Sequence, residues 1–237
     1  MKRIIQYLVN AMGYEVHRLS LSSPRRKLDM MQRLGINFVL DVGANVGQYA
    51  SGLRQIGYKG RIWSYEPLHD AFALLDKAAA SDDLWNTINC GCGAKASSAS
   101  INIAKNSYTS SLLPMLEIVV TNAPDSQYIS QETISICSLD DSVMPSLKPG
   151  DKVWLKIDTQ GYEAEVLTGA THLMRHVVAV ECELSLVPLY QGQLLIDELM
   201  AILYHSGFRL VGVAPRPVFC ESETGYALQI DGTFLKT

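Results

Sequence analysis

Short runs of consecutive apolar residues alternate with amphipathic stretches along most of the chain. Ile4, Ile5, Leu8, Val9 and Met12 recur at helical spacing and predict an amphipathic helix over residues 4–19. Ser22-Ser23-Pro24 reads as a cap with proline in the first turn, opening a helix through about Leu34 that Gly35 ends. From there the rhythm is strand Phe38–Val42, a helix to about Gln55, strand Arg61–Tyr65, a helix from about Asp70 to Ala80, and strand Thr87–Cys92. The stretch from Ala94 to Gly150 breaks it with Ser-rich pieces, Pro114, Pro124 and Pro145, and short strands at Ser100–Ala104 and Thr133–Cys137. It reads as an insertion, not a separate domain. Strand Val153–Ile157, helix Tyr162–Arg175, strand Val177–Cys182, a helix over Leu194–Ser206 and strands Phe208–Val213 and Tyr226–Ile230 complete the chain. Nearly continuous apolar strands alternating with helices predict an α/β domain: about seven mostly parallel strands, helices on both faces and a β/loop insertion. The expected division is a basic helical N-terminal extension over 1–35 and one sheet domain over 36–237.

Composition narrows the class. Hydrophobic residues make up 48% and charged residues 19% of 237, enough to bury a core and too apolar for disorder. The longest apolar runs fall far short of the ~18 residues a membrane span requires. The net charge of −4 argues against a bulk polyanion binder, and no basic, aromatic-studded groove suggests nucleic acid. Residues 1–33 nevertheless hold seven Lys/Arg against two acids, leaving −9 on residues 34–237. A solvated helical face is the simplest account of that leader, with peripheral contact to anionic lipid as the alternative. Five cysteines at 90, 92, 137, 182 and 220 lack zinc or redox spacing and lie mostly in apolar runs. With no signal-peptide pattern at the start, a reducing, cytoplasmic location is expected.

In an open α/β sheet, ligands bind beyond the carboxyl ends of the strands, where strand order reverses. The first strand ends in Asp41-Val42-Gly43-Ala44-Asn45-Val46-Gly47. Gly43 and Gly47 permit a sharp turn and close approach of a ligand, and the following helix offers a positive dipole end. Asp41 points a negative charge at the same place, which disfavours a pyrophosphate and suits a zwitterionic amino acid with a sulfonium centre. Asn45 stands where the second glycine of a dinucleotide fingerprint belongs. The second strand ends in Glu66-Pro67, 25 residues after Asp41, where an acid can accept both hydroxyls of a ribose. The strand before Gly161 ends in Lys156-Ile157-Asp158-Thr159-Gln160, with Asp158 projecting from the sheet edge and Glu163 in the next helical turn.

Together, Asp41–Gly47, Glu66-Pro67 and Lys156-Ile157-Asp158-Thr159-Gln160-Gly161-Tyr162-Glu163 resemble the FkbM-type S-adenosylmethionine-dependent methyltransferases. Ser110-Ser111-Leu112, Ser138-Leu139-Asp140 and the segment from Glu181 to Gln193 extend the resemblance over roughly residues 36–232. It implies a Rossmann-like class I methyltransferase fold with an antiparallel last hairpin. It also implies S-adenosyl-L-methionine as cofactor, with Asp41, Gly43, Asn45 and Gly47 along its methionine part and Glu66 at its ribose. Asn89 to Gly93, including Cys90 and Gly91, would flank the adenine, although Ala94 stands where the family often has an acid. Ser110 and Asp158 would face the methyl group and the acceptor, and the family suggests hydroxyl acceptors on sugars, glycans or secondary metabolites.

Methyl transfer requires alignment, and a hydroxyl acceptor also benefits from a base. Asp158 is the first candidate. Glu181 and Glu183 follow, with only one of the two expected on the site's face, and His69 is weaker. Tyr108, Tyr128, Tyr190 and Phe219 are candidates for an acceptor wall or for core and loop anchors. His172 and His176 have an i, i+4 zinc spacing on the predicted helix, and Asp140-Asp141 with Asp158 would offer oxygens to a divalent ion, but solvent-facing histidines and no metal are preferred. Two other classes are an NAD(P)-dependent oxidoreductase, disfavoured by Asn45 and Asp41, and a catalytically silent cofactor-binding module.

Overall fold

Residues 23–214 and 218–237 are described by the structure, a computed structural model. The predicted helix over 4–19 lies outside them. Phe38–Val42 (β1) is buried at every position, as an apolar run between two other strands must be. It pairs in parallel with Arg61–Tyr65 (β2) on one side and Val153–Ile157 (β7) on the other. β2 continues to Trp85–Ile88 (β3), and β7 to Val177–Ser185 (β8), also in parallel. Beyond β8 lies Ala227–Lys236 (β11), antiparallel to it and to both Phe208–Val213 (β9) and Phe219–Cys220 (β10). The eight-stranded sheet thus has the order β10-β11-β8-β7-β1-β2-β3, with β9 also on β11. Strand order reverses between β1 and β7, so a crevice opens at their carboxyl ends.

The two faces of the sheet bury separate side-chain layers. Phe38, Leu40, Val42, Leu155, Ile157 and Val180 project to one face, under Leu139–Val143 (α5), Glu163–Thr168 (α6) and Ile196–His205 (α7). Val39, Ile62, Trp154 and Ala179 project to the other. There they meet Ser23–Leu34 (α1), Gln48–Ile56 (α2) and His69–Ala79 (α3). Leu28 and Met31 of α1 are buried in this second layer. At roughly 1.5–3 kcal/mol per buried side chain, these two apolar contacts outweigh the part-exposed pair of Lys27 with Glu181 in holding α1 down. Gly35, with φ +69°, stops α1 as expected. No helix among the described residues is long and apolar enough to cross a membrane.

The sequence reading needs four corrections. The strand expected over Thr87–Cys92 is two strands in two sheets. The Cys90 N–H bonds back to the Ile88 carbonyl, and the chain leaves the main sheet to form Gly91–Cys92 (β4). β4 runs parallel to Tyr128–Cys137 (β6), whose other edge carries Ser97–Ala104 (β5) in antiparallel register. The insertion is therefore a three-stranded sheet with a short helix, Glu117–Asn122 (α4), in its long connection. Its Ile101, Ile134 and Ile136 pack on Leu68 and Ala71 at the start of α3. Secondly, β5, β6, β8 and β11 extend beyond their expected ends because antiparallel partners continue the pairing. Thirdly, β10 is an additional short strand. Fourthly, the helix expected over Tyr162–Arg175 stops at Thr168 and resumes as a single 3₁₀ turn at Leu173–Arg175. The cause is tertiary: the Gly169 carbonyl accepts the Asp140 N–H, and the Asp140 carboxylate takes the N–H groups of His172 and Leu173, diverting them from helical bonding. A Cβ on Gly169 would also lie 2.0 Å from the carbonyl oxygen of Gly93.

Two glycine substitutions should therefore move stability in opposite directions. Gly169→Ala forces apart two backbone segments and is expected to cost about 1–3 kcal/mol. In Gly52→Ala the new methyl, mid-way along α2, meets nothing within 4 Å, and the change should stabilise by about 0.5–1 kcal/mol. Urea unfolding of both variants checks the pair.

Candidate active site

The turn leaving β1 is built by three residues with left-handed backbone. Gly43 has φ +77°, and a Cβ there would lie 1.8 Å from the Asp158 carbonyl oxygen, so the exits of β1 and β7 touch. Asn45 has φ +48°, a conformation asparagine tolerates better than other side-chain-bearing residues. Its side-chain oxygen accepts the Val46 N–H at 2.8 Å, and its own N–H donates to Glu66 at 2.8 Å. Asn45 thus makes the turn expected of a second glycine, and its side chain adds the bond from Val46 and one of its own to the Ser107 hydroxyl at 3.0 Å. Gly47, φ +86°, caps α2, and a Cβ there would press on Leu75 and Trp85. It faces the core.

Glu66 follows β2 and is buried. Its carboxylate accepts the Asn45 N–H on one oxygen and the Leu68 N–H, at 2.9 Å, on the other. The Asn89 amide donates to the carbonyls of Glu66 and Pro67, fixing the chain on either side. Burial raises the Glu66 pKa to about 7, against the opposing effect of the two backbone donors.

Between the two strand tips lies a buried ammonium. Lys156 Nζ is 3.3 Å from Asp41, 3.2 Å from Asp158 and 3.1 Å from the Gly43 carbonyl. Burial works against its charge, but Asp158 and Asp41 outweigh it and hold the pKa above the ordinary lysine value. Burial likewise works to raise the Asp158 pKa, yet Lys156 and hydrogen bonds from its neighbours keep it below the usual carboxylate range. For Asp41, fully buried, the desolvation prevails and the pKa is raised. Asp41 accepts from Ser64, which accepts from the Trp85 indole. The expectation that Asp41 faces the ligand is therefore corrected: its carboxylate lies beneath the turn and acts through Lys156.

Beyond Asp158 the loop is held by side chains from distant segments. Gln160, another left-handed non-glycine at φ +54°, donates its amide N–H groups to Asp158 at 2.9 Å and Glu183 at 2.7 Å. Its amide oxygen accepts the Tyr190 hydroxyl and its backbone carbonyl accepts the Ser111 hydroxyl. Glu163, in the first turn of α6, reaches back to accept the N–H groups of Thr159 and Gly161.

Two cavities meet at this loop. The first, about 680 Å³, is lined by Gly43 and Asn45 of the first turn and by Glu66 and Pro67 of the second. Cys90 and Gly91 beyond β3, Ser110 of the insertion and Asp158 complete it. The second, about 830 Å³, is lined by Glu183, Gln229, Tyr190 and Phe219 among others. Tyr108, Asp158 and Gln160 belong to both. Tyr128 is elsewhere, its hydroxyl tied to the Leu113 carbonyl.

The carboxylates of β8 separate. Being two apart on one strand, Glu181 and Glu183 share a face, contrary to the expectation that only one could. What differs is their position along it: Glu183 lines the second cavity, whereas Glu181 binds Lys27 at 2.5 Å, Tyr49 at 2.6 Å and the Trp154 indole at 3.2 Å, outside both cavities. His69 is exposed and pairs with Glu132. Asp140 accepts the backbone N–H groups of His172 and Leu173, and His172 and His176 do not share a continuous α-helix. Among the described residues no group of three His, Cys, Asp or Glu side chains is placed to hold a metal ion. Sequence reading passed over Lys156 as an organiser and Gln160 as a bridge. The signal for the first was a lysine inside an otherwise apolar strand; the second carried none, because its role comes from partners in other segments.

Sheet order, the crevice at its reversal point and an acid after β2 define a class I methyltransferase architecture. A model of the methyltransferase FkbM domain matches residues 41–210, more than half of the chain. The protein belongs to the FkbM family of S-adenosylmethionine-dependent methyltransferases. Among solved structures, methyltransferase FkbM from Methylobacillus flagellatus KT aligns with a TM-score of 0.50 at 16% identity, covering 83% of this chain and 43% of that one. This chain therefore spans less than half of that relative's length. WbdD, in a co-crystal with the kinase inhibitor LY294002, also gives 0.50, at 13% identity over 91% of this chain and 41% of that chain. A putative RNA methyltransferase from Pyrococcus horikoshii gives 0.48 at 11% identity, covering 91% and 82%. At such identities the similarity is one of fold. No curated protein matches the chain.

The residues present fit the family's cofactor. Each Glu66 oxygen uses one lone pair on a backbone donor and keeps another for a ribose hydroxyl. The cleft's two carboxylates, Glu66 and Asp158, suit a cation. A ribose diol at this position would donate to ionised Glu66, so binding of S-adenosylhomocysteine should weaken as pH falls through about 7. From pH 8 to pH 6 the loss should approach roughly tenfold. Calorimetry across that range checks it, with a flat profile expected for Glu66→Gln.

Proposed function

We propose that this protein is an O-methyltransferase that acts on a hydroxyl of a sugar, glycan or other small-molecule acceptor bound in the second cavity. The observation that carries the reading is that Asp158 lines both cavities. A base on the shared wall is within reach of an acceptor held in one and a methyl donor held in the other. S-adenosylmethionine, when bound, supplies an electrophilic methyl group on cationic sulfur. Gly43, Asn45 and Glu66 bind it, while Tyr190, Phe219 and Tyr108 orient the acceptor by its apolar faces. Asp158, kept ionised by Lys156, would accept the proton of the acceptor hydroxyl as its oxygen takes the methyl group that the cofactor would supply. Most of the remaining acceleration comes from alignment of oxygen, carbon and sulfur. The five cysteines are unpaired, the state that a reducing cytoplasm maintains, and we assign the activity there.

A labelled methyl donor offered with a panel of hydroxylated acceptors tests the proposal, with the linkage read by mass spectrometry. Label on nitrogen instead of oxygen would overturn the assignment. Asp158→Asn should lower turnover by about 10²–10⁴-fold, with S-adenosylhomocysteine affinity nearly unchanged.

A further inference from the structure

Three acids and one base crowd the tips of β7 and β8. Lys156 lies between Asp41 and Asp158 and compensates part of their charge. Glu183, 4% exposed, forms no ion pair among the described residues. It accepts two amide N–H groups on one oxygen, from Gln160 at 2.7 Å and Gln229 at 3.1 Å. The Gln160 amide also donates to Asp158, so one side chain clasps both carboxyls. An ionised Glu183 would place a second uncompensated charge on a buried side chain, whereas a protonated one removes that cost and gains a donor.

We propose that Glu183 is held as a neutral carboxylic acid whose O–H donates to Asp158, so that the two carboxyls share one proton and one negative charge, and that Glu183 is thereby the positioning residue for Asp158. The negative charge stays on Asp158, the member facing both cavities. Groups from every side favour this distribution. Asp158 and Lys156 come from β7 and its exit, Glu163 from α6 and Asp231 from β11, while Gln229 and Tyr190 contribute neutral dipoles. Burial first, then the charges of Asp158 and Glu163, push the Glu183 pKa well above the carboxylate range. The left-handed backbone of Gln160 is the strained element that aims its amide at both acids. This inference rests on Asp158 as the base, but Glu183's protonation can be read without turnover.

Infrared spectra of the ligand-free full chain, taken in H₂O and D₂O at pH 8, test it. The wild type should show a carboxylic-acid C=O band that Glu183→Gln lacks. In Asp158→Asn the same band should titrate away at lower pH, because the neighbouring charge that retains the proton is gone. Glu183→Gln, whose amide still donates to Asp158, should keep the wild-type pH profile and most of its turnover. Glu183→Ala should lose roughly tenfold or more in kcat with little change in S-adenosylhomocysteine affinity. Identical spectra for wild type and Glu183→Gln, or an unmoved midpoint in Asp158→Asn, would overturn the shared proton. A Glu183 band beside a fully active Asp158→Asn would instead remove Asp158 as base and leave Glu183's protonation standing.

Discussion

One buried ammonium fixes the chemistry of this molecule. Lys156 lies where β1 and β7 end, within 3.3 Å of two carboxylates and a backbone carbonyl. An unpaired charge in that position would be strongly disfavoured, so the three groups must stay together or not be buried at all. Their mutual attraction pins the exit of one strand to the exit of the next. It also holds the Asp158 pKa below the carboxylate range, whereas desolvation raises that of Asp41 despite the same contact and those of Glu66 and Glu183, which lack it.

Much of the scaffold was legible because full burial leaves a plain signature. β1, β2 and β7 lie between neighbours and under helices on both faces, so each reads as a mostly apolar run, interrupted by Asp41, Ser64 or Lys156, with the boundaries expected. The split between β3 and β4 left no such mark. Asn89-Cys90 continues the polar–apolar pattern, and the chain changes sheets through backbone bonds that the sequence does not encode locally. The interruption of the α6 region is similar, since the bonds that replace the helical ones after Gly169 come from Asp140, about 30 residues away along the chain.

The site divides along the same line. Glu66 and Asp158 were found because topology alone puts strand-tip acids at the crevice. Asp41 was misdirected because its residue type and position carry no information about burial beneath the turn. The bridging role of Gln160 depends on Ser111, Tyr190 and Glu183, which lie up to 49 residues away along the chain. Asn45 offers the opposite lesson. A departure from a glycine pattern that argued against a dinucleotide also marks the residue that supplies the turn and a donor to Glu66.

The contact between the first turn and the β7 exit limits how such a molecule can be re-engineered. With the Asp158 carbonyl resting where a side chain at position 43 would begin, the two loops are in direct backbone contact. Redesign for a new acceptor would disturb that joint if it began at residues 158–161. Changes at Val218 and Phe219 would resculpt the far wall while leaving the donor's seat untouched.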